Sequence, residues 1–340
     1  MNPVETAAPA AAKSAARHAW LTARVIGETV AGFGGLAALA NWLGPQFGAG
    51  GLVSLAYAGV LLAQGLLLQR IYIVAHEAAH KKIAPRRPLL NDGLGQALLL
   101  TILVPLQIYR KIHVFHHGFN RRDHNTSALD VFVSPWPVTP LVRAVGYTLW
   151  YLGIFAGGWF LHSLVSIVLF LGMPTPQAQR ISPAFRNWNG RDRLIAWAQF
   201  LAGVAFHLAV AALGGGRVWL FTLGLPLLAF AWIWSLLVYV FHYHTTLGAQ
   251  VRFNVRAIRS AGFFRWLLLN FNEHATHHMY PNLPWYELPE RHAELPGPFA
   301  EKNQTAGSLW RAVLNQLHGP TVVYVRDADP TPHLFVHWED

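Results

Sequence analysis

The stretch GLVSLAYAGVLLAQGLLLQRIYIVAHEAAH (residues 51–80) joins a long apolar run directly to a pair of histidines. The run carries no charge before Arg70, and about 20 such residues cross a bilayer as one helix. His76 and His80 follow it. Because residues i and i+4 share one face of a helix, both imidazoles are predicted to point the same way at the end of a membrane span.

The composition of the whole chain indicates a membrane protein. Of its 340 residues, 53% are hydrophobic and 12% are charged, whereas about 25% are charged in a typical soluble domain. The apolar content excludes disorder over most of the length. The lack of Cys excludes disulfides and thiolate metal sites. The net charge of +10 does not predict a nucleic-acid partner, because the basic residues cluster beside apolar segments.

The apolar segments predict an all-α integral membrane protein with four spans. Segments 29–48 and 51–75 form one predicted hairpin, and segments 194–213 and 218–241 form a second. Segment 94–108 is short for a span and is predicted to lie at the membrane interface. Segment 142–172 is predicted to lie along the membrane or to dip into it.

Three regions are predicted from these boundaries: a polar N-terminal tail (1–28), a membrane domain that carries the histidine-rich segments (29–295) and a cytosolic C-terminal tail (296–340). Lys and Arg follow each hairpin, whereas the two outer turns (44–51 and 214–217) carry one Arg between them. The positive-inside rule therefore predicts that the histidine-rich segments and both termini are cytoplasmic.

Three histidine clusters and one further pair stand close to the predicted spans. They are His76 and His80; His113, His116 and His117; His274, His277 and His278; and His242 with His244. Each triple has i, i+3, i+4 spacing, which presents three imidazoles from one helical turn. One metal ion uses about three or four protein ligands, so eight or nine imidazoles indicate two metals. Imidazole alone does not select among Zn, Cu, Fe and Ni.

The remaining histidines are expected to cap helices or to extend towards the membrane surface; they are His18, His162, His207, His292, His318, His333 and His337. His124 could lie beside the metals. The first cluster also matches the H-E-x-x-H pattern of zinc metalloproteases, in which Glu77 would be the general base. That alternative is less favoured, because a protease needs one more ligand and leaves the other clusters without a role.

The order of the clusters resembles the integral-membrane fatty acid desaturase/hydroxylase superfamily, whose signature is H-x(3–4)-H, H-x(2–3)-H-H and H-x(2–3)-H-H. The resemblance covers about residues 55–295. Three further segments resemble the Δ12/ω3 acyl-lipid desaturase group: Asp130–Val133, Gly224–His242 and His278–Tyr286. Two positions depart from the pattern, because Glu77 and Phe241 stand where the family usually has Asp and Gln.

The resemblance implies a cytosolic helical cap that holds two Fe ions, and a membrane-bound, O2-dependent oxidoreductase that introduces a double bond into an acyl chain. It implies nine ligands, namely the eight histidines of the three clusters and His242, with His244 as the reserve. Glu77, Asp123 and Asp130 are the candidate carboxylates that orient imidazoles. A hydroxylase, an acetylenase or a carotenoid-type oxygenase would use the same site.

The resemblance also implies the partners. The substrate would be an acyl-lipid, an acyl-CoA or an acyl carrier protein, and a separate ferredoxin- or cytochrome b5-type protein would donate electrons. Seven basic residues could attract an acidic donor or could reflect membrane orientation alone; they are Arg110, Lys111, Arg121, Arg122, Arg186, Arg191 and Arg193.

Overall fold

The computed structural model describes residues 3–127 and 130–327 as a mostly helical protein. Its α-helices are α1 (Pro3–Leu43), α2 (Gly51–Ala79), α3 (Pro88–Leu99), α4 (Leu106–Phe119), α5 (Pro140–Leu152), α6 (Gly158–Ile167), α7 (Thr175–Ile181), α8 (Gly190–Trp219), α9 (Leu225–Leu237), α10 (Gly262–Leu267), α11 (His274–Met279), α12 (Gly297–Asn303) and α13 (Leu309–Asn315). The strands are β1 (Val131–Ser134) and β2 (Thr321–Tyr324).

Shorter helical segments connect several of these elements. Three π-helical segments continue neighbouring α-helices: Gly153–Gly157, Val168–Gly172 and Leu220–Gly224. The short 3₁₀ helices are Gly44–Gln46, Leu100–Ile102, His124–Thr126, Pro183–Phe185, Val251–Phe253, Leu288–Arg291 and Gln316–His318.

Four helical stretches are long and apolar enough to cross a bilayer: Ser14–Gln46, Gly51–Ala79, Pro140–Gly172 and Gly190–Leu237. A multi-pass membrane protein is therefore confirmed. The predicted interfacial segment 94–108 falls in a helix pair, Pro88–Ile102 and Leu106–Phe119, which is bent by 98°. This pair would be a fifth span if it crossed the bilayer as one unit.

The fourth candidate span contains a break at Gly215. It has 48 residues, roughly twice what one crossing needs. Gly215 has φ +84°, in the region that glycine adopts most readily. The indole N–H of Trp219 donates to His207 Nδ1 over 3.3 Å, although a straight helix would separate these two positions by about 18 Å. The chain therefore turns back at Gly215, inside the turn predicted from the sequence.

Helix α2 packs against α1, α3 and α9 at the centre of the molecule. Gly65 permits the close approach of α9, because a Cβ atom there would lie 2.9 Å from the backbone carbon of Ala229. Gly95 permits the close approach of α3 to α2, because a Cβ atom at this position would lie 2.4 Å from the Cβ atom of Ala78. The central packing therefore depends on two glycines that leave no room for a side chain.

Arg70 is buried within α2 and ties three helices together. Its guanidinium donates to Thr29 Oγ1 over 2.9 Å and to the backbone carbonyl of Trp266, and it lies 4.2 Å from the centre of the Trp266 ring. The Glu28 carboxylate is 3.7 Å away. A buried charge needs such partners, so Arg70 fixes α1 and α10 against the end of α2 that carries the histidines.

The prediction of an all-α protein is wrong in one detail. Strands β1 and β2 pair in parallel, with Val131 opposite Thr321 and Ser134 opposite Tyr324. The strands were missed because each has four residues and its partner is almost 200 positions away in the chain. This distant pairing brings the region after residue 296 back to the body of the protein.

The predicted terminal regions are continuous with the rest of the fold where the structure describes them. Helix α1 passes the predicted boundary at residue 28 without a break. Leu309 and Ala312 are buried in the main core, and the carbonyl of Gln316 accepts a 2.8 Å hydrogen bond from the indole of Trp150. His333 and His337 lie outside the described residues, and the three domain boundaries stay predictions.

We expect Gly65→Leu to destabilise the protein by about 1–3 kcal/mol, because its side chain would force α2 and α9 apart. The thermal denaturation midpoint of the purified protein in detergent should fall. Gly59→Leu is the matched control on the same helix, because nothing lies within 4 Å of a Cβ atom at that position. Equal midpoints for the two variants would contradict the close packing of α2 on α9.

Candidate metal centre

Nine imidazoles converge in two groups, and they are the nine that the family resemblance implied as ligands. The first group is His76, His80, His113, His117 and His277. The second group is His116, His242, His274 and His278. Within each group, one ring nitrogen from every member lies within 4.8 Å of the others.

Two helices supply imidazoles to both groups. Helix α4 gives His113 and His117 to the first group, and His116 points to the second. Helix α11 gives His277 to the first group and its other two histidines to the second. Each i, i+3, i+4 triple is therefore divided between the two groups. It does not supply all three imidazoles to a single group.

The distances between ring nitrogens fit a shared ion in each group. In the first group, Nε2 of His113 lies 2.8 Å from that of His76 and 2.7 Å from that of His80. In the second, Nε2 of His242 lies 3.0 Å from that of His274. Metal–imidazole bonds of about 2.0–2.1 Å that meet at about 90° place two nitrogens about 3 Å apart. The residues present therefore fit two metal ions.

Burial favours the form of imidazole that binds metal. Burial lowers the pKa of four histidines outside the candidate spans well below 6.5, and nearby imidazoles lower it further: His242, His274, His277 and His278. These rings are neutral at physiological pH, as metal ligands must be. The buried Nδ1 atoms of His76, His274 and His278 have no hydrogen-bond partner within the described residues, whereas their Nε2 atoms face the groups.

The structure distinguishes His242 from His244. The ring of His242 is held by the carbonyl of Asn254, which accepts a hydrogen bond from its Nδ1–H over 2.9 Å, and the side-chain amide of Asn120 lies 2.7 Å from the same Nδ1. Nε2 is thereby directed into the second group. His244 is exposed, and its ring stacks on Tyr243 outside both groups. The geometry agrees with the choice of His242, whose role as a ligand stays a prediction.

The three candidate carboxylates have different surroundings. Glu77 Oε1 lies 3.4 Å from Nδ1 of His76, and its other oxygen accepts a hydrogen bond from the backbone N–H of Trp285. Asp123 accepts from the backbone N–H of Thr126 and caps a short helix. Glu77 thus lies beside a ring of the first group without a hydrogen bond to it, and its orienting role stays a prediction.

Asp130 contacts the segment around His242 rather than an imidazole. Its Oδ2 accepts hydrogen bonds from the buried guanidinium of Arg121 and from the backbone N–H of His244. The side chain of Asn254 donates to the carbonyls of Arg121 and Gly248. Sequence analysis missed the part played by Asn120 and Asn254, because single asparagines in turns carry no spacing signal.

A largely apolar cavity of about 350 Å³ reaches both groups of imidazoles. Its wall comes mainly from α2, α4, α6 and α9. Residues of these helices that line it include Tyr72, Ile73, Tyr109, Ile112, Trp159 and Trp234. It falls within the range of about 300–1,000 Å³ that is usual for ligand pockets. The arrangement can therefore hold an apolar chain beside two metal ions.

Comparison with known proteins identifies the family. The sequence model of the family described as "Fatty acid desaturase" matches residues 51–310, which cover both groups of imidazoles. This chain belongs to the fatty acid desaturase family. The resemblance seen in the histidine clusters is confirmed. The zinc metalloprotease alternative loses its support, because it accounts for the first cluster alone.

Curated relatives of this desaturase-family protein share about a quarter of its residues. It is 26% identical over 268 residues to the acyl-lipid (9+3)-(E)-desaturase of Dimorphotheca sinuata, covering 70% of this chain and 66% of the relative. It is 25% identical over 240 residues to the sn-1 acyl-lipid omega-3 desaturase (ferredoxin) of a Synechocystis strain, covering 67% and 64%. The chain thus spans just under two thirds of the length of these two relatives.

A third relative is matched over a longer part. The omega-6 fatty acid desaturase, endoplasmic reticulum isozyme 1, of Glycine max is 26% identical over 310 residues, covering 81% of this chain and 74% of the relative. The three relatives all carry desaturase names and belong to the group that the sequence motifs resemble.

We expect His242→Ala to lower the metal content of this desaturase-family protein, because the second group would lose one of its four nitrogens. His244→Ala is the matched control and should keep the wild-type metal content. The measurement is transition metal per chain by inductively coupled plasma mass spectrometry after purification. Metal loss in His244→Ala, with wild-type content in His242→Ala, would show that the reserve residue is the ligand.

Proposed function

We propose that this protein is a membrane-bound, O2-dependent fatty-acyl desaturase, an oxidoreductase that introduces a double bond into an acyl chain. The observation that carries the proposal is the meeting of two imidazole groups at the wall of one apolar cavity. Membership of the desaturase family supports it. A cavity of this kind suits a long hydrocarbon chain, since a polar substrate would find few partners along most of its length.

We propose that the two groups hold two Fe ions. All nine donors are imidazole nitrogens, which bind iron well although they do not exclude other transition metals. When bound, the irons would supply the oxidising power that an unactivated C–H bond requires. No side chain can remove a proton from a mid-chain methylene, so acid–base chemistry alone cannot perform the reaction.

The contribution of the chain itself is position and exclusion of water. The two groups contact the same cavity, which His76, His113, His116, His242 and His274 help to line. An acyl chain held there would keep neighbouring carbon atoms beside the metals while two hydrogens are removed. Phe271 packs 4.9 Å from the ring of His76 and 4.3 Å from that of His274, which limits the space for water between the groups.

We propose that both predicted hairpins cross the membrane and that the histidine groups lie on the cytoplasmic side. The distribution of Lys and Arg supports the cytoplasmic side, and contacts within the chain group the segments that would lie there. Nε2 of His18, near the start of the first candidate span, lies 2.7 Å from the carbonyl of Lys82, beside the first cluster. The stretch 140–172 contacts the C-terminal region through Trp150 and Gln316, and the start of α8 through the carbonyl of Phe170 and Arg193. We propose, as the sequence predicted, that this stretch lies along the membrane or dips into it.

We propose an acyl-lipid substrate and a ferredoxin-type electron donor. The support is the printed names of relatives, two of which, from Synechocystis and Nostoc strains, are acyl-lipid desaturases marked as ferredoxin-dependent. Activity with an acyl-CoA or acyl-carrier-protein substrate, or with a cytochrome b5-type donor, would replace this part of the proposal. The proposed metal site is the same for each of these alternative substrates and donors.

The basic surface proposed for donor docking is smaller than the sequence suggested. Arg121 is buried against Asp130, Arg110 binds Asp92, and Arg193 binds backbone carbonyls. Half-buried Lys111 donates to the backbone carbonyl of Arg186. These four side chains hold the fold together. The exposed members are Arg122, Arg186 and Arg191. We therefore restrict the proposed docking surface to these three.

We expect expression in a bacterial host of known lipid profile to produce acyl chains that are two mass units lighter, because desaturation removes two hydrogens. Mass spectrometry of the extracted lipids measures this. His278→Ala, produced in equal amount in the membrane, should give the profile of the empty host. Products that are sixteen mass units heavier would contradict desaturation and indicate a hydroxylase on the same site.

We expect Arg122→Glu combined with Arg186→Glu to raise the KM for a ferredoxin donor several-fold, because opposite charge speeds the encounter of the two proteins. The rate at which dithionite reduces the bound irons should be the same as in the wild type. Arg217→Glu, an exposed arginine in the predicted outer turn, is the matched control. A KM for ferredoxin that is the same in the wild type, the double variant and the Arg217→Glu control would contradict a docking role for this surface.

A further inference from the structure

Helices α10 and α13 present apolar side chains on the outside of the protein. Phe263 and Trp266 of α10 are 55% and 43% exposed, and Trp310 and Leu314 of α13 are 68% and 59% exposed. We call these four side chains the apolar surface. The ring centres of Phe264 and Trp310 lie 6.4 Å apart, so the two helices are neighbours. A contiguous exposed patch of this kind marks a contact with a membrane or with another molecule.

The inner faces of both helices are packed into the protein. Leu267 of α10 and Leu309 and Ala312 of α13 are buried in the main core. The apolar surface is therefore held in a fixed position by the fold. On a helix that faces water, this outer side would carry polar residues.

Contacts with the candidate spans place the apolar surface at the edge of the bilayer. The backbone carbonyl of Trp266 accepts a hydrogen bond from Arg70, which lies about 20 residues after the start of the second candidate span, and about 20 residues cross the hydrocarbon core. The side chain of Gln316, just after α13, donates to the carbonyl of Leu236 over 2.9 Å, at the end of the fourth candidate span. Helices α10 and α13 thus lie where two spans reach the side of the histidine groups.

The charged residues around the apolar surface are all basic. Segments 258–270 and 305–319 contain no Asp or Glu. Arg259, Arg265 and Arg311 are exposed, and none of them forms an ion pair within the part of the chain that the structure describes. Exposed aromatic rings with arginines beside them are typical of a surface that lies among lipid headgroups. Anionic headgroups attract such arginines.

The bilayer is the occupant that these observations favour. The apolar surface continues from the ends of the spans, so lipid is already beside it, and a water-soluble partner would have to displace that lipid. A second copy of this chain in a symmetric contact would bring the same three arginines towards each other. Like charges without acidic partners oppose such a contact.

We propose that α10 and α13 lie in the headgroup region of the bilayer on the side of the histidine groups, and that Arg259, Arg265 and Arg311 bind anionic phospholipid there. The proposal goes beyond the proposed function and does not depend on it. It gives a membrane contact to part of the region after residue 296, which the sequence predicted as a cytosolic tail. Leu309 of α13 also lines the cavity, so the lipid would contact a helix that forms part of the cavity wall.

A fluorescent label tests the position of the apolar surface. The chain has no Cys, so the fluorophore nitrobenzoxadiazole can be attached to one cysteine in Leu314→Cys or in Phe263→Cys. Each full-length protein is placed in vesicles of phosphatidylcholine and phosphatidylglycerol. We expect a nitroxide near the headgroup end of the lipid acyl chains to quench both labels strongly, and iodide in the water to quench them weakly. Glu290→Cys, at an exposed position outside both helices, is the control and should show the reverse.

The selection of lipid charge is tested in the same vesicles. The composition is kept constant, and either the phosphatidylglycerol or the phosphatidylcholine carries the nitroxide. We expect phosphatidylglycerol to quench the Leu314→Cys label several-fold more per nitroxide, because anionic lipid would be enriched beside it. Arg259→Gln/Arg265→Gln/Arg311→Gln should bring this ratio close to one. Arg217→Gln, an exposed arginine in the predicted outer turn, is the matched control and should keep the ratio.

Three results would overturn the proposal. Quenching of both labels by iodide and not by lipid would show that the apolar surface faces water. Protection of both labels from both quenchers would show that protein covers it, and a doubled particle mass would identify the cover as a second copy. Equal quenching by the two lipids, or a ratio that the triple variant keeps, would contradict the binding of anionic lipid. The proposed function is tested separately, because none of these measurements involves turnover.

Discussion

The fold depends on holding nine neutral imidazoles so close that their Nε2 atoms stand about 3 Å apart. Such atoms gain nothing from one another without a cation between them, and each carries a partial negative charge when its ring is the Nδ1–H tautomer. The rest of the structure must therefore fix the rings against this repulsion. It does so from α2, α4, α11 and the turn after α9, of which α4 and α11 each serve both groups.

Arg70 and Asn254 hold the elements that carry the imidazoles in place. Arg70 binds α1 and α10 to the end of α2 that carries His76 and His80. On the other side, Asn254 binds the turns around residues 121 and 248 through its side chain, and its backbone carbonyl holds the ring of His242. The apolar cavity then lies between the helices that carry the rings, so a chain that enters it meets both groups.

The sequence predicted the parts of this arrangement that depend on local geometry. Apolar length and the spacing of the clustered histidines are properties of single helices, so the multi-pass fold and eight of the nine histidines followed from them, whereas the choice of His242 rested on the family resemblance. The division of the α4 histidines between two groups did not, because it depends on where α11 and the turn at His242 are placed in space. The parallel pairing of β1 with β2 and the contacts of Asn254 were missed for the same reason.

Anomalous X-ray diffraction from crystals of the iron-loaded protein, at wavelengths on either side of the iron edge, tests the central claim most directly. The account predicts two peaks that disappear below the edge. One should lie among His76, His80, His113, His117 and His277, and the other among His116, His242, His274 and His278. A single peak, or peaks away from these nitrogens, would contradict it.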